Sequence, residues 1–563
     1  MTSTVTYDAI VVGSGMTGGF AAKELTEQGL KTLVLERGRH ITHGADYITE
    51  HKPLHEFPFR GMDDRREAER AFPRQSQHPV FDEAKRHFLI NDRHHPYTHD
   101  PHKPFLWIRG DVLGGRSLLW SRQCLRLTDL DFEANAREGI AIDWPIRYRD
   151  LAPWYDHVEA FMGISAEAGA HPTVPSVVMP PIAMNAAERH LKDAIHESFL
   201  DRTVTDSPQA VLTRDHNGRL ACHYCGPCSR GCSTGSYFSS LSATLPAARA
   251  TGNLTLRADS IVHSIRYDER ADRASGVRVI DAKTGKTRDY FGRLIFVCAS
   301  AMESVRLLLN SKSPRFPTGL ANSSGVLGHY IMAHIMGGGA VGLIRHVETG
   351  GRYYNGSKPG MLYIPRFRNL TDQRTDYVRG FHMQAGAGLE GWRRGISMPG
   401  IGADLKHALR DPGAWDTFIG GTGECLPRHE NRMTLNADQQ DAWGIPTPHF
   451  EVAWTANELN MRNDMAVAAA EMLEAAGADA VETYNEPRPP GRDNHEMGGA
   501  RMGHDPRTSV LNAYNQAHDV PNLFVTDGAC MTSGANQNPS LTFMALTARA
   551  CHYAVEQLKR GEI

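Results

Sequence analysis

Cysteine is scarce in this chain: there are nine in 563 residues. So few thiols over such a length argue against a disulfide-stapled scaffold. No run of about 18 consecutive apolar residues occurs, so no membrane span is expected. Charge of either sign is not in excess. A net charge of −3 gives no electrostatic case for nucleic acid or for an anionic membrane surface. A secretion signal is also not expected, because "MTSTVTYDAIVVGSG" reaches a strand-and-glycine pattern by residue 13. That leaves no room for a basic region, an apolar core and a cleavage site. What remains is an ordinary globular composition, 41% apolar and 22% charged, on a chain too long for one core.

The opening segment is the clearest. Ala9 to Val12 is a short apolar run, as a buried parallel strand should be. Gly13, Gly15 and Gly18 then form G-x-G-x-x-G, a helix follows, and a second strand at Thr32–Leu35 ends at Glu36. Glycine is needed where the backbone turns tightly against a pyrophosphate at a helix N-terminus. An acid about 20 residues further on is placed for ribose hydroxyls. The glycines alone are a weak signal; strand, glycines, helix, strand and acid together predict a dinucleotide site.

Further along, the His-rich "HHPYTHDPHKP" (94–104) has no metal-ligand spacing and reads as loop. "VLGGRSLLWSRQC" brings a second glycine pair, Gly114 and Gly115. Over 130–162, "DLDFEANAREG" and "YRDLAPWYDHVEAFMGI" read as helix, and residues 252–268 and 274–285 read as sheet hairpins. Residues 293–311 read as a strand running into a helix, and "ELNMRNDMAVAAAEMLEAAGA" as a long amphipathic helix. At the C-terminus, "HEMGGARMG" fails the zinc pattern H-E-x-x-H because its fifth residue is Gly499. "NLFVTDG" is a strand ending in Asp527 and Gly528, followed by a polar loop, Asn538, Pro539 and a helix.

Four of the nine cysteines, Cys222, Cys225, Cys228 and Cys232, are crowded into "CHYCGPCSRGC". Three readings compete. C-x2-C-x2-C-x3-C is the ferredoxin run that wraps an iron–sulfur cluster, although Ser233 replaces the usual proline. Zinc normally separates two ligand pairs by a dozen or more residues, and this run has two. A cysteine-rich loop without metal is the third.

The glycine motif with Glu36, the Gly114–Gly115 pair, "CASAMESVRLLLNS", "GHYIMAH" and the C-terminal segments together resemble the glucose–methanol–choline (GMC) flavoprotein oxidoreductases over nearly the whole chain. Within that family they look most like bacterial glucoside 3-dehydrogenase and glucose dehydrogenase catalytic subunits, with pyranose-oxidase-like motifs. The resemblance implies an α/β fold: a Rossmann-like FAD-binding domain and a discontinuous second domain on a mostly antiparallel sheet. It assigns residues 1–45, 105–135, 215–325 and 495–563 to the first, 136–214 and 326–494 to the second, and 46–104 to a loop-rich insertion.

By motif match it implies His495 and Asn538 as the catalytic pair at the flavin. Gly13, Gly15, Gly18, Glu36, Arg37, Gly114, Gly115, Val262, Asp527, Gly528, Asn538 and Pro539 would bind the cofactor. Pyranose oxidase carries its flavin on a histidine where this chain has Leu119, so FAD is expected to be noncovalent. The implied reaction is oxidation of a secondary ring hydroxyl of a sugar, favoured at C3 of glucosides. Electrons would leave through a 3Fe–4S or 4Fe–4S cluster on the four cysteines to cytochrome c or a quinone-linked acceptor. The rivals are a self-sufficient sugar oxidase using O2 and a non-catalytic flavin-binding subunit. Glu424 and Arg432 are equally readable as sugar contacts or ion-pair partners. The resemblance also implies a small subunit carrying a twin-arginine signal and periplasmic location by co-export, against a cytoplasmic alternative.

Overall fold

The computed structural model describes residues 6–58, 64–348 and 358–563. Residues 1–5, on which the expectation of no secretion signal partly rests, lie outside the described residues, as do parts of the expected segments 46–104 and 326–494.

The first sheet is built on parallel strands. Thr6–Val12 pairs with Thr32–Leu35 on one side and Thr287–Val297 on the other. Leu254–Arg257 extends the sheet beyond Thr32–Leu35, and Leu523–Val525 joins the last turn-ward half of Thr287–Val297. Ala9, Ile10, Val11 and Val12 are all buried, as a parallel strand covered on both faces should be. One expectation is corrected here. Leu254–Arg257 does not open a hairpin; the helix Leu245–Ala250 before it acts as a crossover and delivers it parallel to Thr32–Leu35. The antiparallel meander starts only at Ser260–Asp268 and continues through Arg273–Asp281 into Thr287–Val297.

The second sheet is antiparallel, in the order Asp479–Asn485, Gly338–Ile344, Trp415–Glu424, Phe381–Leu389, Leu362–Ile364 and Thr205–Asp206. Helix Ala456–Ala475 lies across it, burying Met461, Met465, Met472 and Leu473. The sheet leaves room for it by glycine: a Cβ on Gly421 would sit 2.3 Å from Met465. This helix is less simply amphipathic than its pattern suggests, since Asp464 is also buried and accepts from Tyr377 Oη at 2.6 Å. A hairpin, Arg432–Gln440 with Pro446–Glu451, adds Thr98–His99 as a third strand.

The two helical segments expected over 130–162 form as three pieces, Asp129–Phe132, Ala134–Glu138 and Tyr148–Met162. Gly139 takes the left-handed conformation that ends the second piece, and the third starts at Tyr148, beyond the buried Trp144.

Candidate active site

A cavity of about 850 Å³ opens where the parallel strands end and reaches across to the second sheet. Each glycine of the opening motif has a separate reason to be there. Gly13 has φ +100°, and a Cβ on it would lie 2.3 Å from the Cys298 carbonyl. A Cβ on Gly18 would lie 2.0 Å from the Gly13 carbonyl, so this residue sets the close approach of helix to strand. Gly15 faces open cavity. The Gly114–Gly115 turn meets it: Gly114 N donates to Ser14 Oγ at 2.9 Å, and both glycines have positive φ. Ser14 Oγ in turn donates to Glu36 Oε2 at 2.5 Å, while Gly38 N donates to Oε1 at 2.8 Å. Glu36 is buried on the cavity wall, and burial raises its pKa against those hydrogen bonds.

Arg37 and Val262 line the same cavity, but Arg37 is already paired, with Glu303 at 3.0 Å. Asp527, Gly528 and Pro539 line it at the other end. Asp527 is buried, caps the turn Gly528–Cys530 by accepting from Ala529 N at 3.0 Å, and has its pKa pushed up to about 6 by burial. Gly18 and Gly114 lie behind the wall, not on it. These features suit FAD: a helix N-terminus at a glycine turn, an acid beyond the second strand, and a long cavity. Leu119 lines the cavity and offers no atom for a covalent link.

His495 and Asn538 are brought side by side on that wall, Asn538 Nδ2 to His495 Nε2 being 3.4 Å. The other ring nitrogen, Nδ1, is 2.8 Å from Nδ1 of His334, whose Nε2 donates to the Gly534 carbonyl at 3.3 Å. That carbonyl fixes the tautomers. His334 carries its proton on Nε2 and accepts at Nδ1, so His495 is protonated on Nδ1 and Nε2 is left as an acceptor. Burial, with His334, His382 and Arg116 nearby, holds the His495 pKa well below the ordinary range, and burial holds His334 at about 4. Asn538 does not cap the helix Ser540–Arg560 with its side chain. Its Oδ1 accepts from Gln384 Nε2 at 3.4 Å instead.

Several residues here were not singled out from sequence. His334 stands in the quoted "GHYIMAH", yet its contact is with a residue 161 positions away. Gln384 also donates to Gln123 Oε1 at 2.5 Å, and the buried Gln123 Nε2 has no partner among the described residues, although the residue lines the cavity. Arg116 pairs with Glu496 at 2.6 Å. Glu424 and Arg432 are ion-paired, with Arg379 at 3.6 Å and Glu451 at 2.7 Å.

The cysteine run forms a loop on the edge of the same cavity, which Gly226, Pro227, Cys228, Ser229 and Arg230 line beside Leu119–Gln123. All four thiols are free and half-buried. Gly226 and Gly231 have φ +99° and +108°, and a Cβ on Gly231 would collide with the Tyr47 ring at 2.3 Å. Burial raises the Cys222 thiol and pushes Cys225 up to about 11, with the neighbouring thiols adding to both. Among the described residues no three of the four sulfurs lie within 4.8 Å of one another. In a zinc tetrahedron with bonds of about 2.3 Å they would be closer than that. No helix among the described residues is long and apolar enough to cross a membrane.

Residues 7–334 and 427–547 match the N- and C-terminal models of the family described as GMC oxidoreductase. The chain is 32% identical over 570 residues to 2-methyl-1,2-propanediol dehydrogenase of Mycolicibacterium austroafricanum, covering 98% of this chain and 96% of that one. It is 27% identical over 571 residues to the fructose dehydrogenase large subunit of Gluconobacter japonicus, covering 99% of each. Its fold is similar to that of pyridoxine 4-oxidase from Mesorbium loti, with a TM-score of 0.60 at 17% identity over 98% of this chain and 99% of that one. The two family models together take in well over half of the sequence, and the chain belongs to the GMC oxidoreductases, FAD-binding enzymes that act on CH–OH groups.

Proposed function

We propose that this enzyme is a sugar dehydrogenase that oxidises a secondary ring hydroxyl, favoured at C3 of glucosides, to a ketone. The observation that carries this is the proton order along Gly534, His334 and His495, which turns a bare imidazole Nε2 toward Asn538 in the cavity. FAD, bound noncovalently, supplies the hydride acceptor. The substrate hydroxyl replaces the long 3.4 Å contact between Asn538 and His495. Asn538 Nδ2 donates to the hydroxyl oxygen, and His495 Nε2 takes its proton as the carbon loses hydride. His495 is neutral at pH 7, as a base must be, because its pKa is depressed.

The substrate class rests on the two glutamines. Gln123 Nε2 is a buried donor without a partner beside the catalytic pair, and Gln384 joins it to Asn538. Such a donor is matched by a second oxygen next to the one being oxidised, which a polyol or sugar ring provides and a simple alcohol does not. A small vicinal diol meets the same requirement, and the similarity to a propanediol dehydrogenase favours that as the second reading.

The cysteine loop is the electron exit in this proposal. The C-x2-C-x2-C-x3-C spacing of Cys222, Cys225, Cys228 and Cys232 supports an iron–sulfur core, 3Fe–4S or 4Fe–4S. Cys222, Cys225, Cys228 and Cys232 would hold that core, which would supply one-electron transfer from the flavin toward cytochrome c or a quinone-linked acceptor. A relative named as a large subunit supports a small partner subunit here. If that partner bears a twin-arginine signal, the folded pair is exported together and works in the periplasm.

The deciding experiment is anaerobic mixing of purified holoenzyme with a panel of glucosides, free sugars and 1,2-diols, followed by NMR of the products. Flavin bleaching by glucosides with a 3-keto product supports the proposal. Bleaching by small diols alone moves the assignment to the second reading. Iron and sulfide analysis of the same sample tests the electron exit, and rapid O2 consumption without iron supports an oxidase instead.

A further inference from the structure

Away from the cavity, three helices each contribute one metal-binding type of side chain to a single point. Glu24 comes from Met16–Glu27, His157 from Tyr148–Met162 and His552 from Ser540–Arg560. His157 Nε2 is 2.8 Å from Glu24 Oε1, and His552 Nε2 is 3.0 Å from Oε2. The three ligand atoms lie within 4.8 Å of one another, and among the described residues no other group of His, Cys, Asp and Glu is so close. The Glu24 side chain is 2% exposed, whereas His157 and His552 are 38% and 41% exposed, so the point is anchored in the protein and open to solvent on one side. Trp154 packs against the His552 ring at 4.9 Å, and both line a surface cavity of about 730 Å³.

A buried carboxylate needs a counter-charge, and Lys23 Nζ, 3.0 Å from Oε1, supplies one. That pair leaves unexplained why two other helices each aim an imidazole Nε2 at the same carboxylate. We propose that Glu24, His157 and His552 form a binding site for one divalent transition-metal ion of the zinc type, with water completing its shell. Two imidazoles and one carboxylate suit zinc and its neighbours, whereas calcium and magnesium require oxygen ligands throughout. Because Lys23 already occupies Oε1, the ion falls to Oε2. Each histidine binds through Nε2 with its proton on Nδ1, so the two hydrogen bonds are replaced by two metal–nitrogen bonds and no net proton is released from neutral rings. The role is mechanical. One of the clamped helices begins at the Gly15 turn and another directly after Asn538 and Pro539, so the ion ties the two together well beyond the first turns that face the cofactor cavity.

The test uses holoenzyme dialysed against a mild chelator, then equilibrated with Zn2+ alone, for the wild type and for His157→Gln/His552→Gln. The wild type should hold one more zinc per chain by mass spectrometry of bound metal, and zinc should raise its melting temperature but not that of the variant. The cysteine loop is present in both samples, so only the difference counts. Equal zinc in the two proteins, or equal thermal response, overturns the proposal and leaves a hydrogen-bonded ion cluster. Flavin content shows that each variant is folded; if the double variant is not, His552→Gln alone must lose the extra zinc.

Discussion

His334 and His495 meet Nδ1 to Nδ1 at 2.8 Å with their ring planes 86° apart. Only one of the two nitrogens can carry the proton, and the Gly534 carbonyl decides which. His334 is therefore a positioning residue acting through His495. Replacing His334 with Ala should leave FAD bound, slow anaerobic flavin reduction by about 10–100-fold and change the shape of its pH profile. A loss of rate with an unchanged profile would mean that only packing was disturbed.

His495→Ala removes the proton acceptor itself. Flavin reduction by substrate should fall about 10²–10⁴-fold while the yellow cofactor stays in place. Near-normal stopped-flow reduction in that variant would sink the assignment.

Gln123→Leu removes a donor aimed at a second substrate oxygen. Losing a hydrogen bond worth about 1 kcal/mol should raise KM for the sugar about fivefold with a smaller effect on kcat. The comparison that matters is with a substrate lacking the neighbouring hydroxyl, for which the variant and the wild type should differ little.

Buried histidines set the pH response of the fold. Burial depresses His334 and His87 to about 4 and His382 and His78 to about 3. In the unfolded chain they titrate near 6.5, so below that value the unfolded state binds more protons. Stability should be fully present above about pH 6.5 and decline steadily toward pH 5, before most carboxylates titrate. Asp206 and Asp527, both raised to about 6, and other acids raised by burial such as Glu36 and Glu424 work in the opposite direction and make that decline shallower. Thermal melts across that range check this, and a flat melting temperature from pH 7.5 to 5 contradicts it.

Cys222→Ser or Cys232→Ser should spare flavin reduction by sugar but block transfer to a one-electron acceptor and lower the iron content. Anaerobically purified wild type with full flavin and no iron refutes the electron-exit reading.

The dinucleotide cradle was legible in the sequence because its constraints are local. Gly13 and Gly18 answer to clashes with neighbouring backbone, and Glu36 follows them at a fixed distance along one strand–helix–strand unit. The pairing of His495 with Asn538 could be expected only through resemblance, since 43 residues separate them. His334, Gln123 and Gln384 were not legible at all. Each reaches the site from a different element, and a lone histidine or glutamine in sequence says nothing about the neighbour it will meet. The direction of Leu254–Arg257 is not legible for a related reason: alternation marks a strand but not its partner.

The cavity is walled by Val12 near one end of the chain and Phe543 near the other. Strand Leu523–Val525, which joins the first sheet beside Thr287–Val297, lies far along the chain from Thr6–Val12 of the same sheet. In synthesis the strand–helix–strand unit Thr6–Leu35 thus emerges long before strand Leu523–Val525 and helix Ser540–Arg560, which complete the sheet and the cavity wall. Cofactor capture belongs after translation, and a nascent chain must protect an unfinished apolar groove throughout synthesis. Truncation by a few dozen C-terminal residues should therefore give an insoluble apoprotein rather than a weakened enzyme.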